Sequence, residues 1–169
     1  MIRLVGAVLV AAGCAWGGFR AADGLRGRVR ALEEMGRGLA LLEQELELDS
    51  PPLPQLMDRL VPRCRGPARE LFQGCRGALG RLEEESFSSA WRRLVGELEG
   101  LGPEGRSCLL PLGDTLGRCG SEEQRQAVSL VGRRLAEAAA RAEEDRRRMG
   151  RVYQTLGLSG GAFLVILLL

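Results

Sequence analysis

The chain reads as all-α, a membrane-anchored six-helix bundle domain between an N-terminal and a C-terminal transmembrane helix. Three observations predict this. Both ends are apolar, with one charge from Ile2 to Phe19 and none from Leu156 to Leu169. Between them, apolar residues recur every three or four positions, the period of one helix face. No stretch alternates apolar and polar residues over more than four positions with β-branched enrichment, so no strand is expected.

A bilayer core about 30 Å thick needs roughly 20 apolar residues in a helix. The first end is long enough; the second reaches that length only if Val152 to Thr155 enter the bilayer with it. The resulting boundaries are a transmembrane helix over 1–20, a cytoplasmic helical domain over 21–151 and a transmembrane helix over 152–169. Each anchor carries glycines four apart, Gly13 with Gly17 and Gly157 with Gly161. Small residues at that spacing let helix backbones approach closely in lipid. They are candidates for packing, either between the two anchors or between protomers of a homo-oligomer, although glycine is also simply common in membrane helices.

Ala11-Ala12-Gly13-Cys14 resembles a lipoprotein processing site, but the flanking charges point elsewhere. Cytoplasmic flanks collect arginine. Arg20, Arg26, Arg28 and Arg30 come after the first anchor, and Arg146, Arg147, Arg148 and Arg151 precede the second, with only Arg3 opposing them. The expected topology is an uncleaved anchor pair in the lipid bilayer, both termini outside and the middle domain cytoplasmic. Trp16 and Tyr153 sit where interfacial aromatics belong.

Within the domain the first helix is predicted from about Asp23 to Leu48, on Leu25, Val29, Leu32, Met35, Leu39, Leu42 and Leu46, continuing the first anchor with a bend at Gly17-Gly18 or Gly24. Pro51-Pro52-Leu53-Pro54 stops it, because prolines fix φ and remove backbone donors. The second helix is marked by Leu53, Leu56, Met57, Leu60 and Val61. After Pro62 and Gly66-Pro67 comes the third, on Leu71, Phe72, Cys75, Ala78, Leu79 and Leu82. Glu83-Glu84-Glu85-Ser86 is the next junction, and Phe87, Ala90, Trp91, Leu94, Val95 and Leu98 mark the fourth. Gly100 to Pro103 introduces the fifth, with Leu109, Leu112 and Leu116, which Pro111 should kink or shorten. Gly117-Arg118-Cys119-Gly120 ends it. Ser121 and Gln124 have the spacing of a capping box at the start of a sixth, long helix. Val128, Val131, Leu135, Ala138, Ala142, Met149 and Val152 line one face of that helix, which has no stop stronger than Gly150 and should pair antiparallel with the first.

Composition removes most chemistry. There are no histidines and no lysines, hence neither the commonest general base nor the lysine of Schiff-base or phosphate-loop sites. Between Arg20 and Thr155, 23 arginines face 22 acidic residues, which leaves no net field for nucleic acid. The five cysteines include no Cys-x-x-Cys pair, which argues against a zinc site or a disulfide framework. Cys14, Cys75 and Cys108 fall on apolar stretches, where a thiol serves as a small hydrophobe. The carboxylate runs at Glu83 to Glu85 and Glu143 to Asp145 read as solvated surface, because neighbours on a helix diverge and cannot converge on a metal. Ser88 and Ser89 have no activating base, and Asp114 beside Thr115 reads as an isolated polar pair. Arg146-Arg147-Arg148 would suit anionic headgroups, but such a run is more often just the topology signal, and Glu143 to Asp145 partly neutralise it. The expectation is a non-catalytic protein with no catalytic residue, metal or cofactor.

Three local patterns carry a resemblance: Met1 to Leu9, the Pro51-Pro52-Leu53-Pro54 entry to the second helix, and Leu116-Gly117-Arg118-Cys119-Gly120-Ser121-Glu122-Glu123-Gln124. Together they resemble the stage III sporulation protein AB family over essentially the whole chain. The family usually reads Thr-Pro-Leu-Pro-Glu-Ala-Leu where this chain has Pro51 to Met57, and Leu-Gly-x-Ser-Asp-x-x-x-Gln at Leu116 to Gln124. Pro51, Gln55, Cys119 and Gly120 depart from it, whereas Pro52, Leu53, Pro54, Leu116, Gly117 and Gln124 match. These six and Ser121 are the candidate structural or interaction residues.

The resemblance implies a platform component of the channel between mother cell and forespore, on the mother-cell side in the forespore outer membrane. Its helical domain would be similar to the cytoplasmic domain of type II secretion and type IV pilus platform proteins. Its partners would be a cytoplasmic ATPase like stage III sporulation protein AA and other membrane proteins of the channel. The alternative is a membrane-tethered signalling or adaptor domain unrelated to secretion.

Overall fold

The computed structural model describes the backbone of residues 2–48, 51–81 and 85–168, and side chains between 24 and 149 within them. The described residues form seven helices: α1 (Ile2–Leu48), α2 (Leu53–Leu60), α3 (Gly66–Leu79), α4 (Phe87–Glu97), α5 (Gly102–Leu109), α6 (Leu112–Thr115) and α7 (Ser121–Leu168). No strand occurs among them.

The predicted six helices become seven because the fifth divides at Pro111. That residue has no N–H to donate, and its ring displaces the carbonyl one turn back. Leu110 still bonds back to the Arg106 carbonyl at 3.3 Å, after which the chain restarts as the single turn of α6. As expected, α1 continues the first apolar stretch into the domain, with helix unbroken from Ile2 to Leu48. In the same way α7 passes through Gly150 without a stop.

Two compact units result: Met1–Gly27 with Arg141–Leu169, and Arg28–Ala140. Both α1 and α7 contribute to each. In the second unit, Arg125 near the start of α7 has its pKa raised, first by the hydrogen bond and charge of Glu122 and further by Glu47 and Glu43 on the last turns of α1. The end of α1 therefore lies beside the start of α7, as an antiparallel pair requires.

The core of the second unit is the set of apolar stripes that the helical period selects. Leu32, Met35, Leu39, Leu42 and Leu46 of α1 are buried with Val128, Val131, Leu135 and Ala138 of α7. Leu56, Met57 and Leu60 of α2, Leu71, Phe72 and Cys75 of α3, and Ala90, Trp91 and Val95 of α4 complete it. Burying each large side chain fully contributes about 1.5 to 3 kcal/mol. The short helices pack in sequence, α2 on α3, α3 on α4, and α4 on α5 and α6.

Two polar contacts fix this packing. The Trp91 indole N–H donates to the Leu109 carbonyl at 2.9 Å in the interior, satisfying both groups. Glu45, the buried acidic residue of α1, accepts from Arg63 at 2.6 Å and from Arg59 at 3.2 Å, tying α2 and the turn after it to α1. Close backbone approach is supplied by Gly38, where a Cβ would lie 2.5 Å from that of Ala68.

Three smaller expectations fail. Met149 is 47% exposed, because it lies beyond the turns of α7 that the core covers. Cys108 is half-buried, whereas Cys64 and Cys75 are buried, and no disulfide joins any of the four described cysteines. Val29, Leu53 and Leu94 sit at the core's edge, half-buried. Among the described residues no helix is long and apolar enough to cross a membrane, and the side chains of both apolar ends lie outside them. The glycines proposed for packing in lipid, Gly13, Gly17, Gly157 and Gly161, have helical backbone, but their surroundings are likewise outside the described residues. So is Leu82.

Candidate docking groove

The candidate residues lie more than 60 positions apart in the chain, at 52–54 and at 116–124, and the fold brings them together. Pro52 has φ −54° and ψ 144°, extended geometry that its ring favours, and its carbonyl accepts the first bond of α2 from Leu56 at 3.0 Å. Leu53 and Pro54 then occupy the first turn of α2, where a missing proline N–H costs nothing.

On the other side, Leu116 ends α6 and is buried. Gly117 comes next with φ +78°, a conformation that a side chain disfavours. A second reason makes glycine fit here: a Cβ on Gly117 would run into the Cδ1 methyl of Leu53. The two segments thus interlock, the leucine side chain of one lying against the bare α-carbon of the other.

Ser121 opens α7 but does not form the predicted capping box. Gln124 donates from Nε2 to the Cys119 carbonyl at 2.7 Å, and its own N–H bonds to the Gly120 carbonyl at 3.0 Å. The side chain therefore closes the 117–120 turn on itself rather than reaching back to the Ser121 N–H. The Ser121 hydroxyl is exposed and makes no hydrogen bond among the described residues.

Between these segments lies an open groove of about 430 Å³, lined by Leu46, Pro51, Pro52, Leu53, Pro54, Leu79, Gly117, Ser121 and Gln124. Six of the seven candidates face it, and Leu116 is buried. Sequence reasoning placed Leu46 and Leu79 in the core without seeing that each also reaches the groove. Near it, Arg125 of α7 pairs with Glu122 at 2.7 Å and also feels the charges of Glu47 and Glu43 at the end of α1. Glu122 is held down to about 2 by hydrogen bonds from Arg125 and then Gln126, so it is ionised at any ordinary pH.

Other polar clusters are internal pairings. Asp114 is not isolated: Ser88 Oγ donates to it and Arg92 grips it with two bonds at 2.9 and 3.1 Å. Those bonds, Ser88 first, lower its pKa. Glu85 pairs with Arg93 at 3.1 Å, while Glu83 and Glu84 lie outside the described residues. Arg146 and Arg147 both bond Glu143, at 2.7 and 3.0 Å, and Arg148 bonds Glu144 at 2.7 Å. No group of three or more Cys, Asp or Glu that could hold a metal occurs among the described residues. What the groove offers is a shaped, partly apolar surface for binding.

Comparison with known proteins agrees across the full length. The pattern of the stage III sporulation protein AB family matches residues 3–169. Stage III sporulation protein AB of Bacillus subtilis (strain 168) is 25% identical over 172 residues, covering all of both chains. A solved structure of a stage III sporulation protein AB superposes with a TM-score of 0.62 over 72% of this chain and 98% of that one, at 21% identity, and so shares its fold. With the fold held in common and the interlocked 52–54 and 116–124 segments inside the matched span, the chain belongs to the stage III sporulation protein AB family.

Proposed function

We propose that the chain is a non-catalytic platform of the channel between mother cell and forespore. In this reading the 28–140 unit receives a cytoplasmic secretion-type ATPase resembling stage III sporulation protein AA, and α1 and α7 carry the contact into the membrane. The observation that carries it is the continuity of these two helices, 47 and 48 residues long, each holding part of the domain core at one end and an apolar stretch at the other. A helix is stiff along its axis, so force applied at the domain would reach the apolar ends without being lost in a loop.

The test is a flexible glycine linker inserted at Gly150 of α7. Sporulation should fail while the ATPase still co-purifies with the variant. Normal sporulation with the linker in place would remove the mechanical reading, and loss of ATPase binding would show instead that the domain itself had been disturbed.

A further inference from the structure

We propose that the arginine face shared by α2 and α3, centred on Arg63, Arg65 and Arg69, receives an acidic surface of a cytoplasmic partner protein. The proposal rests on the reading that the 28–140 unit binds a secretion-type ATPase, and gives that contact a place and a sign.

Contacts between helices define the face. On α3, Arg65, Arg69 and Arg76 follow one another at spacings of four and seven, which puts them in one exposed stripe. The Arg69 N–H bonds to the Arg65 carbonyl at 3.4 Å, so the stripe begins at the N-cap of the helix. Arg76 Nε meets Oδ1 of Asp58 on α2 at 2.6 Å, which turns the stripe toward α2. In the turn between these two helices Arg63 reaches Glu45 of α1 at 2.6 Å, where Arg59 of α2 also binds at 3.2 Å. Guanidinium groups from α2, the turn and α3 therefore share one side of the domain.

The charges on this side do not cancel. Asp58 neutralises Arg76, and Glu34 of α1, which lies against Gly66 at the start of α3, has Arg30 within 3.8 Å. Arg59 and Arg63 share the single negative charge of Glu45. Arg65 and Arg69 are exposed and make no ion pair among the described residues. Glu70 is turned about 100° around α3 from Arg69, toward the side where Gly74 packs on Leu94 of α4. A surplus of guanidinium groups suits a partner that brings carboxylates, because arginine grips them through two parallel N–H donors. Val61, half-buried, and Pro62, exposed, add a small apolar centre that a protein surface can cover.

An anionic bilayer is the poorer match. Between Phe19 and Glu34 α1 runs for about 22 Å, more than twice the ~10 Å over which exposed charges act in 0.1 M salt.

Full-length protein in detergent micelles, titrated with the purified ATPase, tests this. Wild type should bind, and less tightly as salt rises. Arg65→Glu/Arg69→Glu should weaken binding about tenfold with its helical circular dichroism unchanged, whereas Arg133→Glu/Arg134→Glu, the same charge change on α7, should leave it within about twofold. Binding that ignores salt, equal binding by wild type and the Arg65/Arg69 variant, or an equal loss in the α7 variant overturns the proposal and leaves the ATPase reading standing. No binding by wild type overturns both. If the Arg65/Arg69 variant instead loses phosphatidylglycerol from mixed micelles while ATPase binding is unchanged, the face belongs to lipid and the proposal falls as well.

Discussion

Gly117 concentrates the chemistry of the groove in a single α-carbon. Its positive φ and the Leu53 methyl against it both exclude a side chain. Gly117→Ala should destabilise the domain by about 1 to 3 kcal/mol, seen as a lower urea midpoint. Leu53→Ala made in that background should cost less than it does alone, because it removes the clash; equal costs in both backgrounds would show that the two residues do not interlock. Trp91→Phe is the matching experiment in the interior. It keeps an aromatic ring but strands the Leu109 carbonyl, which should cost about 1 to 3 kcal/mol in the same titration, whereas no loss would mean that water reaches that carbonyl.

At the scale of the helix, the start of α7 should depend on acid. Glu122 lies in its first turn, and the folded carboxyl titrates at about 2 against an ordinary 4.5, through Arg125 and then Gln126. A depressed pKa means that the folded state favours the ionised form. The stabilisation is therefore complete above about pH 4.5 and is lost as pH falls through about 2. Amide exchange in the first turns of α7 should be faster in Glu122→Gln than in wild type near neutrality, and the two should converge near pH 2. A difference that persists there would assign the effect to packing.

The helices themselves could be read from period and punctuation, since Leu32 to Leu46 and Val128 to Ala138 repeat regularly and prolines mark the breaks. What could not be read depends on contacts distant in sequence. Nothing in the spacing of Ser121 and Gln124 says that the Gln124 amide will turn to Cys119, and nothing near Asp114 announces Ser88 and Arg92. The two halves of the groove were visible as separate motifs. That they share one cleft depends on how α2 and the α6–α7 turn pack, which no local pattern encodes.

For the molecule as a whole, the thiols offer a gauge of cooperative opening. Burial pushes Cys75 up to about 12 and raises Cys64 as well, the latter against a smaller lowering by Arg63. Both stay protonated and shielded, while Cys108 and Cys119 are half-buried. Alkylation at mildly alkaline pH should label Cys108 and Cys119 first. Cys64 and Cys75 should react together and only as fast as the domain unfolds, accelerating in parallel with urea. Early labelling of Cys75 alone would instead reveal that α3 opens independently.

An unbroken α1 also constrains how this chain can change length. Each residue added to a helix advances the rest of that helix by about 1.5 Å and turns it by about 100°. One insertion within α1 would take Leu32, Met35 and Leu39 out of phase with the turns before them, and a compensating change in α7 would be needed to restore the match. Growth and loss of sequence are thereby directed away from the long helices to the connections between helices, where no rotational register has to be kept. The long helices behave as a ruled scale that evolution can recolour residue by residue but cannot easily lengthen.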